Sequence, residues 1–97
     1  MTLDQQQLVQ YSANGLVFLP GLLEKSEIDA LKDEQKRILN LDLEAHLRAE
    51  DGEFLGTAAM HRVSGLYSRL LCDERLLGIA EQLLGRPLYC HQYKIHN

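Results

Sequence analysis

Gly85-Arg86-Pro87-Leu88-Tyr89-Cys90-His91-Gln92-Tyr93-Lys94-Ile95-His96-Asn97 is the stretch on which the fold turns. Gly85 and Pro87 mark a turn, and Pro87 stands at a strand start, one of the few places where a strand accepts proline. Leu88 to Ile95 is rich in the aromatic and aliphatic types that suit a pleated surface. A period of two sends Leu88, Cys90, Gln92, Lys94 and His96 to one face and Tyr89, His91, Tyr93 and Ile95 to the other. The second face is an amphipathic aromatic ladder. The first passes from apolar to polar and basic along its length, as a barrel strand does when it presents ligands to a cavity.

Upstream of this strand, Asp73 is a helix N-cap for Glu74 to Leu84, with Leu76, Ile79, Ala80, Leu83 and Leu84 as the buried stripe and Gly85 as the stop. Leu66 to Leu71 reads as a turn or two of helix. Phe54 to Ser64 is punctuated by Gly56 and bounded by Gly52 and Gly65, and Ala58 to Val63 suits an extended chain. Glu50-Asp51-Gly52-Glu53 is a polar turn. The longest helix starts at Ser26, a good cap, with Glu27 and Asp29 at the positive end of the dipole. Ile28, Leu31, Gln35, Ile38 and Leu39 trace one face, and helical spacing continues to Leu43 and Leu47. Leu16-Val17-Phe18-Leu19, closed by Pro20-Gly21, has the length and flanks of a buried strand. Before it, Thr2 and Gln5 have the form of a capping box for a helix reaching about Ala13 and ending at Asn14-Gly15. The order of helix, strand, long helix, irregular segment, two short helices and strand predicts an α+β fold.

With 97 residues the chain holds one domain at most. A hydrophobic fraction of 45% with 25% charged residues is that of a soluble globular protein. The formal net charge of −4 argues against a broad nucleic-acid surface, and Lys36-Arg37, the densest basic pair, fits a solvated helix face. No apolar run approaches the roughly 18 residues of a membrane span, and the N-terminus lacks a signal-peptide pattern. The expectation is a cytoplasmic protein, in which Cys72 and Cys90 are buried free thiols.

No complete catalytic constellation stands in the chain. His91 and His96 fall on opposite faces of the expected strand and cannot share a metal without a bulge. His61 could join Cys90 or His96 only through folding, and each of the four histidines, His46 included, has a structural reading as a hydrogen-bonded residue. There is no HxD, HExxH or paired-cysteine spacing. The serines lack a nucleophile-elbow context, and the glycines are too far apart for a phosphate loop.

Three pieces in order resemble the phytanoyl-CoA dioxygenase family of iron(II)- and 2-oxoglutarate-dependent oxygenases, especially its ectoine hydroxylase-like members. The first is Tyr11-Ser12-Ala13-Asn14-Gly15-Leu16-Val17-Phe18-Leu19-Pro20-Gly21-Leu22-Leu23, followed by Ser26-Glu27-Ile28-Asp29-Ala30-Leu31. The second is Asp73-Glu74-Arg75-Leu76-Leu77-Gly78-Ile79-Ala80-Glu81-Gln82-Leu83-Leu84-Gly85. The third is His91-Gln92-Tyr93-Lys94-Ile95. Together they span essentially the whole chain.

The resemblance implies a double-stranded β-helix, a jelly-roll barrel of about eight strands. Residues 1–97 would be the N-terminal portion of that domain: a helical layer and the first strands, with the barrel incomplete. It implies iron(II) and 2-oxoglutarate as cofactors of the intact enzyme and a small-molecule substrate. The HxD motif, distal His and Arg that hold them would lie beyond Asn97, so this chain should bind neither tightly. Gln92, Lys94 and His96 would line the co-substrate and substrate pocket. His96 stands where many members carry Asn, and Asn97 follows it. The other reading of Gln92 and Lys94 is that they solvate a strand end. An alternative to a portion of an enzyme is a non-catalytic interaction module, or remnant, that pairs through an exposed strand, and open edges also permit self-association.

Overall fold

The computed structural model describes residues 2–96. Helix α1 (Gln5–Asn14) begins at Asp4, whose carboxylate accepts from the Gln7 backbone N–H at 2.8 Å while the Asp4 N–H donates to the Gln7 side chain at 2.9 Å. This capping box replaces the expected Thr2–Gln5 pair. It makes the same reciprocal bonds and places a carboxylate at the positive helix end. Gly15 ends the helix in the left-handed conformation, φ 74°, as Asn14-Gly15 predicts.

Leu16 to Leu19 is not a strand. Among the described residues no segment pairs with its backbone, and an unpaired run cannot build a ladder. Phe18 is 74% exposed. The next helix, α2 (Lys25–Leu39), is capped at Glu24, whose N–H donates to Glu27 Oε1 at 2.9 Å, so Ser26 lies inside the first turn and is not the cap. The helix does not continue to Leu43 and Leu47. Asn40 stops it by turning its side-chain amide onto the Lys36 carbonyl at 3.0 Å.

The chain then forms β1 (His46–Arg48) and β2 (Phe54–Thr57), an antiparallel hairpin with His46 opposite Thr57, Leu47 opposite Gly56 and a bulge between Leu47 and Arg48. The polar turn at Glu50–Glu53 connects them as expected, with Gly52 at φ 89°. One turn of helix, α3 (Met60–Val63), and then α4 (Gly65–Leu71) follow, where an extended Ala58–Val63 was expected. Helix α5 (Glu74–Leu84) starts at Asp73 and ends at Gly85, as read from the sequence. Within its stripe Ile79 is buried, Leu76, Ala80 and Leu83 are half-buried, and Leu84 is exposed.

Of the expected strand Leu88–Ile95, only Ile95 pairs, joined by His96 in β3 (Ile95–His96). It lies antiparallel to β2, Ile95 opposite Thr57 and His96 opposite Gly56. The reason is the partner: β2 ends at Thr57, and nothing among the described residues extends that edge to meet Leu88–Lys94. The sheet has three strands in the order β1-β2-β3 and is open. The fold is α+β, as expected, and the sheet alone is not a closed barrel.

Ile38, Met60 and Tyr67 form the core, with Leu31, Leu43, Val63, Leu70, Tyr93 and Ile95 packed round it. The Tyr67 hydroxyl donates to the Leu31 carbonyl at 2.9 Å, tying α4 to α2. Ser64 caps α4 and donates to Glu34 at 2.5 Å, a second tie. Arg75 joins α5 to α2 through both carboxylate oxygens of Glu27, at 2.6 and 2.5 Å, while also holding Asp73. Leu3 is buried, and its backbone exchanges two hydrogen bonds with the Gln82 side chain. Cys72 is exposed at the end of α4 and Cys90 is half-buried. Both are free, but neither is the buried thiol expected.

Candidate functional site

Ala58, Ala59, His61 and Arg62 face the Cys90–Lys94 segment across a cleft of about 270 Å³. The segment has no strand ladder to hold it, and three contacts of Tyr93 position it. The Met60 N–H donates to the Tyr93 carbonyl at 3.1 Å. The Tyr93 ring stacks on His61, with centroids 6.0 Å apart and planes 14° apart, and meets Tyr67 edge-on at 6.2 Å. Burial raises the Tyr93 phenol above its ordinary pKa, with Tyr67 and Cys90 adding to the rise, so the group stays a neutral hydroxyl. Ala59 sits in the left-handed region at φ 52°, a conformation costing about 1–2 kcal/mol for a residue with a Cβ. That turn launches α3 and sets His61 against Tyr93.

The cleft is cationic. No Asp or Glu lines it, and among the described residues neither Arg62 nor Lys94 has an ion-pair partner. In a chain of net charge −4 this is a local reversal of sign. Gln92 and Lys94 reach the cleft, and the alternation read from the sequence survives locally: Gln92, Lys94 and His96 are exposed while Tyr93 and Ile95 turn inward. His96 is not brought to the cleft; it lies on β3 opposite Gly56. Asn97 lies outside the described residues. His61 borders the cleft with Cys90, the meeting that the sequence left to folding, whereas Arg62 carried no signal, because an extended Ala58–Val63 gives no reason to set it beside Lys94. No periodic signal marks a single helical turn.

His46 has the structural role expected of it. Its Nε2 lies 2.8 Å from the Leu41 carbonyl and its Nδ1 2.9 Å from Thr57 Oγ1. A carbonyl only accepts, so Nε2 carries the proton and the Thr57 hydroxyl donates to Nδ1. His61, His91 and Cys90 all border the cleft, yet among the described residues no three of His, Cys, Asp and Glu come together as a metal set. These residues therefore do not fit the iron that the resemblance implies. A carboxylate-bearing ligand, by contrast, matches the charge of the cleft.

A larger cleft, about 300 Å³, runs between α2 and α4, lined by Leu23, Ala30, Leu31, Leu66 and Leu70. Its walls are largely apolar; the Glu27–Arg75–Asp73 cluster at its end satisfies its own charges, and Arg69, which also borders it, has no ion-pair partner among the described residues. Arg75 holds Glu27 and Asp73 each at about 2, well below their ordinary values, chiefly through its hydrogen bonds to them. The smaller cleft differs in having two cations, Arg62 and Lys94, unpaired among the described residues, and no carboxylate.

An open α+β platform with a cationic cleft at the start of its third strand is the class of structure that the chain presents, and comparison with known proteins gives that class a family. No family model matches the chain. The chain is 34% identical over 102 residues to the ectoine dioxygenase of Halomonas elongata, covering 97% of this chain and 30% of that protein. It is 27% identical over 94 residues to the ectoine dioxygenase of Streptomyces avermitilis, covering 92% and 32%. With that of Streptomyces coelicolor it shares 25% over 88 residues, covering 86% and 29%. The resemblance to the ectoine hydroxylase-like oxygenases of the phytanoyl-CoA dioxygenase family is borne out across nearly the whole chain. The chain spans about 30% of the length of the curated relatives it matches.

Proposed function

We propose that residues 1–97 are the N-terminal portion of an iron(II)- and 2-oxoglutarate-dependent dioxygenase that hydroxylates a small organic substrate, of which ectoine is the first to test. The observation that carries this is the match to ectoine dioxygenases along 97% of this chain but only 30% of the relative. The described residues supply a helical layer, an open three-stranded sheet and a cationic cleft. The iron ligands, including the HxD motif, and the rest of the jelly roll would come from elsewhere in the protein. Gln92, Lys94 and His96 would line the pocket, with Gln92 and Lys94 at the cleft. The chemistry that iron supplies is activation of oxygen against an unactivated carbon. The part this segment plays is to bind and orient a carboxylate. We place the protein in the cytoplasm; no helix among the described residues is long and apolar enough to cross a membrane.

The alternative, a non-catalytic module that pairs through its strands, is favoured by one observation: the outer edges of β1 and β3 have no neighbour among the described residues. Reading the gene past the Asn97 codon separates the two. A frame that runs on into an HxD motif supports the oxygenase. A stop codon there would overturn it in favour of the module.

A further inference from the structure

His61 carries an unexplained polar atom. Its Nδ1 is buried and has no hydrogen-bond partner, the one such side-chain atom among the described residues. Buried polar atoms are almost always paired, and an orphaned N–H is rarer than an orphaned lone pair. The ring proton therefore sits on Nε2, and Nδ1 keeps its lone pair. No protein group among the described residues takes up Nε2 either. Stacking on Tyr93 fixes the ring plane, and the residue borders the cleft that also holds Arg62, Gln92 and Lys94. With its inner nitrogen shut in and its ring held against Tyr93, His61 is left with Nε2 as its available donor, on a residue that lines the cleft.

We propose that His61 is a further binding residue of this site, donating Nε2–H to a ligand carboxylate whose charge is met by Arg62 and Lys94. This rests on the reading of the cleft as the oxygenase pocket. Two ligands share the chemistry, 2-oxoglutarate and ectoine, and the cleft's cations accept the carboxylate of either. The planar fork of Arg62 suits two parallel hydrogen bonds to one carboxylate, with Lys94 as a point charge and the Gln92 amide as a further donor. The left-handed Ala59 is the local strain that places His61 there, as ligand-binding turns often hold.

The test is a titration of the full-length protein, free of iron and labelled with ¹⁵N in its histidine rings and backbone, with 2-oxoglutarate, with ectoine and with phosphate. The proposal expects a saturable shift of His61 Nε2 with one of the two carboxylates and weaker or no response to phosphate. It also expects His61→Phe, which keeps the ring stack on Tyr93, to weaken that binding by about tenfold or more, and His61→Gln to recover part of it. If Gln92 and Lys94 amides shift while His61 Nε2 stays still, His61 is not a ligand-binding residue and the pocket reading survives. Equal responses to phosphate and carboxylates would overturn the carboxylate assignment. No response anywhere along Cys90–His96 would overturn both the proposal and the pocket reading.

Discussion

Gly56 sets how closely β3 can approach β2. A Cβ there would run into the Ile95 carbonyl oxygen and lie 3.0 Å from the His96 Cα, and both obstacles are backbone. Gly56→Ala should therefore push β3 off the sheet at a cost of about 1–3 kcal/mol, the range of an overpacked site. Urea unfolding would show the lower midpoint, and hydrogen exchange would show the Ile95 amide losing protection. Gln92→Ala and Lys94→Ala, made in the full-length enzyme, should leave the fold intact. Each should cost about 1.5–3 kcal/mol of ligand binding, roughly tenfold to a hundredfold in affinity, if each loses a hydrogen bond to a charged group. Unchanged Michaelis constants for both substrates would remove them from the pocket. The outward side of Gln92 and Lys94 follows from alternation, which holds from Gln92 to His96 and is reversed at Leu88–His91, where no ladder fixes its phase. The place of His61 was left to folding, since it depends on a helical turn four residues long and on Tyr93 far along the sequence.

Among the elements, α2 and α5 are joined by Arg75 between Glu27 and Asp73. Glu27 falls from 4.5 to about 2, first through its hydrogen bond from Arg75 and then through its bond to the Glu24 N–H. Glu34 falls likewise to about 2, through Arg37 and then Ser64. Asp73 falls from 3.8 to about 2 through Arg75. Each is more acidic in the folded state, so the unfolded chain binds more protons between the two values. The stabilisation is present above about pH 4.5 and is lost as pH falls toward 2. A melting temperature that drops over this window, and drops less in Arg75→Met than in the unaltered chain, is expected. These pairs lie near the surface, so 1 M salt should also flatten the profile. Helix α5 was readable because its cap, stripe and stop are all local. Leu16–Leu19 and Leu88–Lys94 were misread for the opposite reason: composition marks a segment as fit for a strand, but only a neighbour makes it one. Ala58–Val63 shows the same limit, since a short apolar run is ambiguous between strand and helix.

At the scale of the whole molecule, the chain is extended. Its radius of gyration is 15.8 Å over extents of 47 × 30 × 22 Å, against about 12.5 Å for a compact domain of this length. Phe18 and Tyr89 stand 74% and 89% exposed, and Val9, Leu16 and Leu84 also face outward. Exposed apolar side chains of this size favour association. The isolated chain should be marginally stable and self-associating, as light scattering would register in a concentration-dependent particle size. It should also show no stoichiometric high-affinity iron(II) by calorimetry and form no succinate from 2-oxoglutarate, because no metal set occurs among the described residues.

If the proposed function holds, this segment does in its own protein what the matching segment does in an ectoine dioxygenase. A chimaera in which the chain replaces the matching segment of the Halomonas elongata enzyme, about 30% of that protein, tests it. Circular dichroism and a cooperative melt would first establish that the chimaera folds. Iron(II)-dependent conversion of 2-oxoglutarate to succinate is the measurement. Succinate formation above a metal-free control is the result predicted. A folded, iron-binding chimaera that forms none would contradict the account.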